Sequence, residues 1–270
     1  MVSRDEYLLV GGWKEVSLVD VLGYSSFTLW LSRCNLRCPW CSNYSLATGR
    51  IGKKVKISEI VELVKEAEAF VDYFHVTGGE PTLQVKPLRR LLLRVKSETS
   101  LLLSVDTNAT IPKAVEELVP ILDHIAIDIK APLSDPRKYA KATGMSERFM
   151  KYVLPRIKES VVIASAVPFL ELRTTLVPGL ISCVDVAKVV EELESLLPPV
   201  RGRLVYVVQQ FIPYEGVEGP YSEAKATPAE YVKRCAEEVA TCSSRFEIYY
   251  RTLEEGVQRV RPLKLDACHK

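Results

Sequence analysis

The stretch Phe27-Thr-Leu-Trp-Leu-Ser-Arg-Cys-Asn-Leu-Arg-Cys-Pro-Trp-Cys41 decides how this chain is read. It opens with an apolar run of strand length, and Cys34, Cys38 and Cys41 follow at once. The C-x-x-x-C-x-x-C spacing places three thiolates on one short loop, which suits the capping of three irons in a cuboidal 4Fe–4S cluster. A closed electron-transfer cluster takes four cysteines. Three leave one iron open, and an open coordination position separates a catalytic metal site from a structural one.

Two plainer readings compete. Tetrahedral zinc needs a fourth ligand, usually from a second C-x-x-C or H-x-x-H pair, and the remaining cysteines Cys183, Cys235, Cys242 and Cys268 are widely separated. A disulfide framework is not expected with so few cysteines for the length and no secretory leader pattern. Those four cysteines therefore read as core or surface thiols. Cys235 and Cys242, seven apart on an expected helix, read as small buried hydrophobes unless partnered elsewhere.

Working outward, short apolar runs alternate with helical patterns, which predicts repeated βα units and a mainly parallel sheet. The expected strands are Phe27–Leu31, Tyr73–Thr77, Leu101–Val105, His124–Ile129, Leu170–Val177, Leu204–Phe211 and Phe246–Tyr250. Ser58 is placed to cap a helix striped by Ile60, Leu63, Val64 and Ala67, and Asp185 to open one striped by Val186, Val189, Val190 and Leu193. Thr227-Pro-Ala-Glu230 reads as a capping box with proline at the first helical position. The stretch Met145–Val167 is helical in its first half, and its second half fits either a helix or a strand. Tyr7–Gly23 reads as a hairpin or edge strands. The expected fold class is α/β, a partial (βα)6 barrel with an N-terminal hairpin and a C-terminal helix–strand extension. One domain spans 1–270, with strands over 1–21, a core over about 22–215 and the extension over 216–270.

Composition narrows the class. A chain of 270 residues buries a full core, and a net charge of +2 without runs of like charge leaves no electrostatic footprint for nucleic acid. The longest apolar stretches are strand-length and Met1-Val-Ser-Arg-Asp-Glu6 lacks a signal-peptide pattern, so the expectation is a soluble, cytoplasmic protein. Few Asn and Gln beside many Glu, Lys and Arg lean toward a thermophilic source.

The polar residues fall at strand ends, where parallel α/β folds gather their ligands. After the cysteine loop come Thr77-Gly-Gly-Glu-Pro81, then Asp106-Thr-Asn108, then Asp128-Ile-Lys130, then a fifth strand with Arg173 that ends in Val177-Pro-Gly179. Singly these are weak: glycine pairs mark turns, Asn108 suits a turn, and Asp128 with Lys130 suits a surface ion pair. Five consecutive strands delivering polar groups to one rim, in order after an iron-binding loop, is the specific signal.

On these residues the chain resembles the radical S-adenosylmethionine (SAM) superfamily over about residues 12 to 215. Within it the chain looks most like glycyl-radical-enzyme activases, those of pyruvate formate-lyase and anaerobic ribonucleotide reductase, archaeal type. The resemblance implies a 4Fe–4S cluster on Cys34, Cys38 and Cys41, with SAM chelating the open iron. It implies Trp40 near the adenine, Gly78 and Gly79 admitting backbone to the methionine moiety, and Glu80 accepting from its ammonium. It further implies Asp106 and Asn108 facing the ribose or methionine, Asp128 and Lys130 matching the activases' D-L-K triplet, and Lys130 with Arg173 neutralising the SAM carboxylate. Two positions depart from the pattern. Ala109 stands where glycine is usual, which suits a backbone of negative φ, and Pro213-Tyr-Glu215 stands where P-Y-H is usual.

The chemistry so implied is reductive cleavage of SAM to a 5′-deoxyadenosyl radical that abstracts hydrogen, with no catalytic acid–base residue, and no Ser/His/Asp arrangement is seen. His75 and His124 lie in apolar strand patterns and read as structural; His269 belongs to the terminus. The implied partners are a glycyl-radical enzyme and an electron donor of ferredoxin or flavodoxin type. The alternatives are a radical SAM enzyme acting on a small molecule or a nucleoside of tRNA or deazaguanine maturation, and an iron–sulfur or zinc protein that only binds.

Overall fold

The computed structural model describes residues 6–260, so Cys268 and His269 lie outside the described residues. A long strand β1 (Tyr7–Val21) turns at Gly23 into β2 (Tyr24–Leu31), and the two pair antiparallel, while β3 (Lys53–Lys56) pairs with the start of β1. From β2 the sheet continues in parallel through β4 (Tyr73–Gly78), β5 (Leu102–Thr107), β6 (His124–Asp128), β7 (Phe169–Leu176) and β8 (Arg203–Gln210). These six strands are the expected partial barrel. The C-terminal extension adds a seventh parallel strand, β9 (Glu247–Thr252), and an antiparallel β10 (Gly256–Arg259).

Alternation along the strands divides outside from inside. Phe27, Leu29 and Leu31, Phe74 and Val76, Leu103 and Val105, Ile125 and Ile127 all pack outward into one core under the helices. The helices are α1 (Tyr44–Ala47), α2 (Ile57–Ala67), α3 (Val85–Glu98), α4 (Pro112–Leu118), α5 (Pro136–Thr143), α6 (Glu147–Ala164), α7 (Cys183–Leu196) and α8 (Ala229–Cys242). Each longer one meets the sheet through a stripe at helical spacing, as with Leu88, Leu91, Leu92 and Val95 of α3. Burial of one such side chain contributes about 1.5–3 kcal/mol.

The inward positions are mostly polar: Ser26, Thr28, His75, Ser104, Asp106, His124, Glu171 and Arg173. They need partners, and curvature supplies them. The β1–β2 turn reaches across the sheet so that Leu22 packs with Phe169, Val205 and Val207 of β7 and β8, plugging the lumen where those strands begin. Among the described residues no helix is long and apolar enough to cross a membrane.

Several local expectations change. Helix α2 starts at Ile57 with Lys56 as its cap, so Ser58 lies inside the first turn and caps nothing. Helix α7 is capped by Ser182, with Asp185 completing the box from the N3 position. Helix α8 begins at Ala229, but no capping box forms at Thr227: its hydroxyl donates to Leu176 O at 2.6 Å, tying the helix entry to β7. The ambiguous half of 145–167 is helix to Ala164, because Pro155 sits on the exposed side while Val153, Leu154, Ile157 and Val161 continue the stripe.

Cys183 and Cys235, expected as thiols, form a disulfide. Helices α7 and α8 pack side by side and bring their Cα atoms to 5.4 Å, a closeness that 52 residues of separation conceal. Cys242 is free and exposed.

Candidate active site

The cysteine loop is fixed by backbone and side-chain bonds from three sides. Arg33 turns the chain out of β2 in the left-handed region (φ 77°), and its N–H donates to Leu46 O at 2.9 Å. Cys34 N donates to Ala47 O at 2.8 Å and Arg37 N to Thr143 O at 2.9 Å. Trp40 Nε1 donates to Ala142 O at 2.9 Å, and Asn108 Nδ2 to Asn35 Oδ1 at 2.8 Å.

Gly78 and Gly79 have their requirement in this bracing. A Cβ on Gly79 would stand 2.1 Å from Arg33 O, and one on Gly78 2.3 Å from Leu31 O, with Gly78 at φ +120°. The end of β4 thus lies flat against the loop, with Gly79 N on Leu31 O and Glu80 N on Arg33 O, both at 2.8 Å. Their motif assigns these glycines to a ligand; the loop itself already demands them.

Glu80 is buried, and its donors are protein groups: Thr82 N at 3.0 Å, the Thr82 hydroxyl, Thr107 Oγ1 at 2.7 Å and Asn108 N at 2.7 Å. Burial raises its pKa against these bonds. It ties β4 to the turn after β5. In that turn Ala109 takes φ 59°, the glycine-favouring region, so the negative φ expected for alanine is not what the fold uses.

The three thiols line one cavity of about 800 Å³, together with Trp40, Gly78, Gly79, Glu80, Asp106, Asn108, Asp128 and Lys130. Of the anticipated site residues only Arg173 is not on that wall. It lies beneath, donating through Nη1 to Asp106 Oδ2 at 3.0 Å, through Nε to Glu171 Oε1 at 2.5 Å and through Nη2 to Asp20 O at 3.0 Å. Burial disfavours the charge on Asp106, yet Arg173 and His75 outweigh it and hold that carboxyl well below the usual range. Glu215 is exposed and off the cavity wall; its neighbour Tyr214 lines the mouth.

Sequence reasoning missed the lumen network. His75 Nδ1 and His124 Nδ1 both meet Ser104 Oγ at 2.7 Å, while their Nε2 atoms face Asp106 and Glu171 at 3.5 and 3.4 Å. Both histidines are structural, as expected, but they face the polar lumen rather than an apolar core. Arg251 on β9 and Asp20 on β1 also reach the cavity. Alternation in Glu247-Ile-Tyr-Tyr-Arg251 was the available signal for the first.

The thiols fit an iron–sulfur cluster. None of the three is in a disulfide, all are partly buried, and the donor set is all sulfur. Burial, reinforced by Glu80, pushes Cys34 up to about 11, and burial pushes Cys38 up to about 12 despite nearby Lys130. Burial works against the charge of Lys130 also, yet Asp128 at 2.9 Å and Cys38 hold it firmly cationic. Its ammonium stands 5.1 Å over the Trp40 ring, so a pinned positive charge lies beside the thiols where a cluster's negative charge would sit. Leu36 N at 3.4 Å and Asn108 Nδ2 at 3.8 Å from Cys34 Sγ add weak donors to sulfur.

The radical SAM superfamily model matches residues 29–164, just over half of the chain. The chain belongs to the radical SAM superfamily. It is accordingly a radical SAM enzyme whose cofactors are a 4Fe–4S cluster and SAM. The matched segment contains the cysteine loop, Gly78 to Glu80, Asp106 to Asn108, and Asp128 with Lys130; Arg173 and Arg251 lie beyond it.

A protein of Methanocaldococcus jannaschii provisionally named a glycyl-radical enzyme activating enzyme is 27% identical over 221 residues, covering 80% of this chain and 85% of that one. The 7-carboxy-7-deazaguanine synthase of Thermococcus kodakarensis is 31% identical over 116 residues, covering 36% and 46%. Among solved structures, TYW1 with a lysine–pyruvate adduct superposes with a TM-score of 0.58 at 16% identity, over 86% of this chain and 78% of that one, a likeness of fold. The α/β partial barrel is thus that of radical SAM enzymes.

Proposed function

We propose that this radical SAM enzyme acts on a protein, removing a hydrogen atom from a backbone glycine of a glycyl-radical enzyme. One observation carries the reading. The cavity that holds the cysteines is lined in part by apolar side chains that stand in solvent: Leu18 and Val19 of β1, 75% and 61% exposed, Leu253 of the β9–β10 turn at 68%, and Tyr214 after β8 at 52%. Exposed apolar groups on a cavity wall suit a polypeptide segment that lies against them while one residue enters. The M. jannaschii relative, matched over most of both chains, supports the same reading.

Bound together, the cluster and SAM supply one-electron chemistry that draws hydrogen from a C–H bond. The chain's own part is positional. Cys34, Cys38 and Cys41 ligate, Lys130 offsets the thiolates' charge, and Gly78 with Gly79 hold the loop. The electron donor in this reading is a cytoplasmic ferredoxin or flavodoxin.

A second reading, hydrogen abstraction from a small molecule or nucleoside, is favoured by the cationic Arg251 on the cavity wall, which a substrate lying wholly inside would meet. Anaerobically reconstituted protein separates the two. SAM cleavage stimulated by a glycyl-radical protein, with a radical appearing on that protein's glycine, supports activation. Turnover of a free metabolite without any protein partner overturns it.

A further inference from the structure

Two cationic side chains line the cavity among the described residues, Lys130 and Arg251. Lys130 is engaged by Asp128 and Trp40. Arg251 has only a longer ion pair, to Glu171 at 3.8 Å. It pairs in register with Gln209 near the end of β9 and turns into the lumen with its side chain 20% exposed. Its Nε and Nη2 are buried and have no hydrogen-bond partner.

The nearest carboxylate oxygen is Glu171 Oε1, 3.8 Å from Nη2, beyond hydrogen-bond reach. That oxygen already accepts from Arg173 Nε. Arg173 also donates to Asp106, so one hydrogen-bonded cation serves two carboxylates and Arg251 adds a longer ion pair to Glu171. Burial and the like charge of Arg173 both press against its protonated form. A buried guanidinium edge without hydrogen bonds is costly, and an anion that reached it would supply them. The two nitrogens without hydrogen bonds specify which anion: Nε and Nη2 form the side-on edge of the guanidinium, which offers two parallel N–H bonds to a planar carboxylate.

We propose that Arg251 is a specificity-determining residue that receives a carboxylate of the hydrogen-donating substrate through its Nε–Nη2 edge. Arg251 and the cysteine loop line the same cavity, the one from β9 and the other from the end of β2. The inference goes beyond the choice between protein and small-molecule substrate, since an acidic side chain on a peptide and a free carboxylic acid present the same group.

The test uses the full chain reconstituted with cluster and SAM, its melting temperature followed at constant ionic strength. Sodium acetate probes the free carboxylate and acetyl-Gly-Asp-Gly-amide the peptide one, with the Asn peptide and chloride as controls. The wild type melts higher with acetate or the Asp peptide, and the tighter of the two identifies the source. Arg251→Gln binds about tenfold more weakly or worse, and without ligand it melts no lower than the wild type. Arg251→Lys keeps the charge but loses the fork, and sits between the two. Should Arg251→Gln not fold, a tenfold loss in Arg251→Lys supports the proposal and equal binding by that variant overturns it. The proposal also fails if the wild type responds to neither carboxylate, or if Arg251→Gln folds but melts well below the wild type, which marks Arg251 as a structural partner of Glu171. Neither failure touches the activation reading, because no partner protein enters the assay.

Discussion

Arg173 on β7 donates to Asp106 on β5, Nη1 to Oδ2 at 3.0 Å, across the intervening strand β6. Both residues stand out in the sequence as ligand contacts, and the fold gives them first to each other. Replacing Arg173 by Met would leave Asp106 and Glu171 without the cation that hydrogen-bonds both. Removing one partner of a buried pair costs about 3–5 kcal/mol, so a drop of that size in unfolding free energy is expected from denaturant titration. Arg173→Lys recovers only part, because one ammonium cannot meet three acceptors in fixed directions. SAM affinity of the lysine variant, measured by equilibrium dialysis, changes little if the role is internal; a tenfold loss in that folded variant would restore the direct contact.

Gly79 makes a sharper prediction about the cluster loop. Its absent Cβ would sit 2.1 Å from Arg33 O, a backbone atom that cannot swing away. Gly79→Ala must push β4 off the loop, breaking Glu80 N to Arg33 O. Overpacking of this kind costs about 1–3 kcal/mol, and iron content per chain after reconstitution falls with it. Gly12, where an added methyl would meet nothing within 4 Å, serves as the control: Gly12→Ala leaves iron content unchanged. Equal iron in both variants would remove the bracing role.

The parts of the fold and site that can be read in advance are those written locally. Each parallel strand, β2 and then β4 to β8, carries its own apolar run, and the cysteine loop and strand-end motifs carry their own spacing, whereas β3, Lys-Lys-Val-Lys, carries none. What stays hidden depends on curvature and long separation. Nothing near Arg173 announces Asp106, 67 residues away, and nothing near Asp20 announces Arg173, 153 away. Glu80 points outward to a ligand when its local motif is read alone, whereas its donors Thr107 and Asn108 arrive from the next strand. The positive φ at Ala109 is hidden because alanine gives no sign of a left-handed turn. Arg251 escapes notice because a strand after the expected six reads as cover for the core, not as wall of the cavity.

The Cys183–Cys235 bridge closes a loop of 52 residues that includes β8 and the rim segment with Tyr214. In the chain-entropy account a loop of that length removes about 4 kcal/mol of freedom from the unfolded state. Cys183→Ala with Cys235→Ala is therefore expected to lower unfolding free energy by about 2–4 kcal/mol in oxidised protein. Thiol reductant should bring the wild type down to the double variant and leave the variant itself unmoved. A wild type indifferent to reductant would mean that the two sulfurs are not joined in solution.

The cluster thiols set a pH dependence whose direction follows from their burial. Cys34 is raised from about 9 to about 11 and Cys38 to about 12. Cluster-free folded protein then keeps protons that the unfolded chain releases above about pH 9. The folded state binds more protons in that window, so the contribution of these thiols is complete below about pH 9 and declines as pH rises. Each group removes up to about 1.4 kcal/mol per pH unit while the unfolded thiol is ionised and the folded one is not. Urea titrations of reduced, iron-free protein at about pH 8 and about pH 9.5 should show the decline, a window chosen to stay below the tyrosine midpoint at about pH 10. Cys34→Ser with Cys38→Ser should flatten it. Cluster binding reverses the sense, because ligation releases the same protons and iron uptake becomes more favourable as pH rises. A slope shared equally by wild type and double serine variant would show that the thiols are not held protonated by the fold.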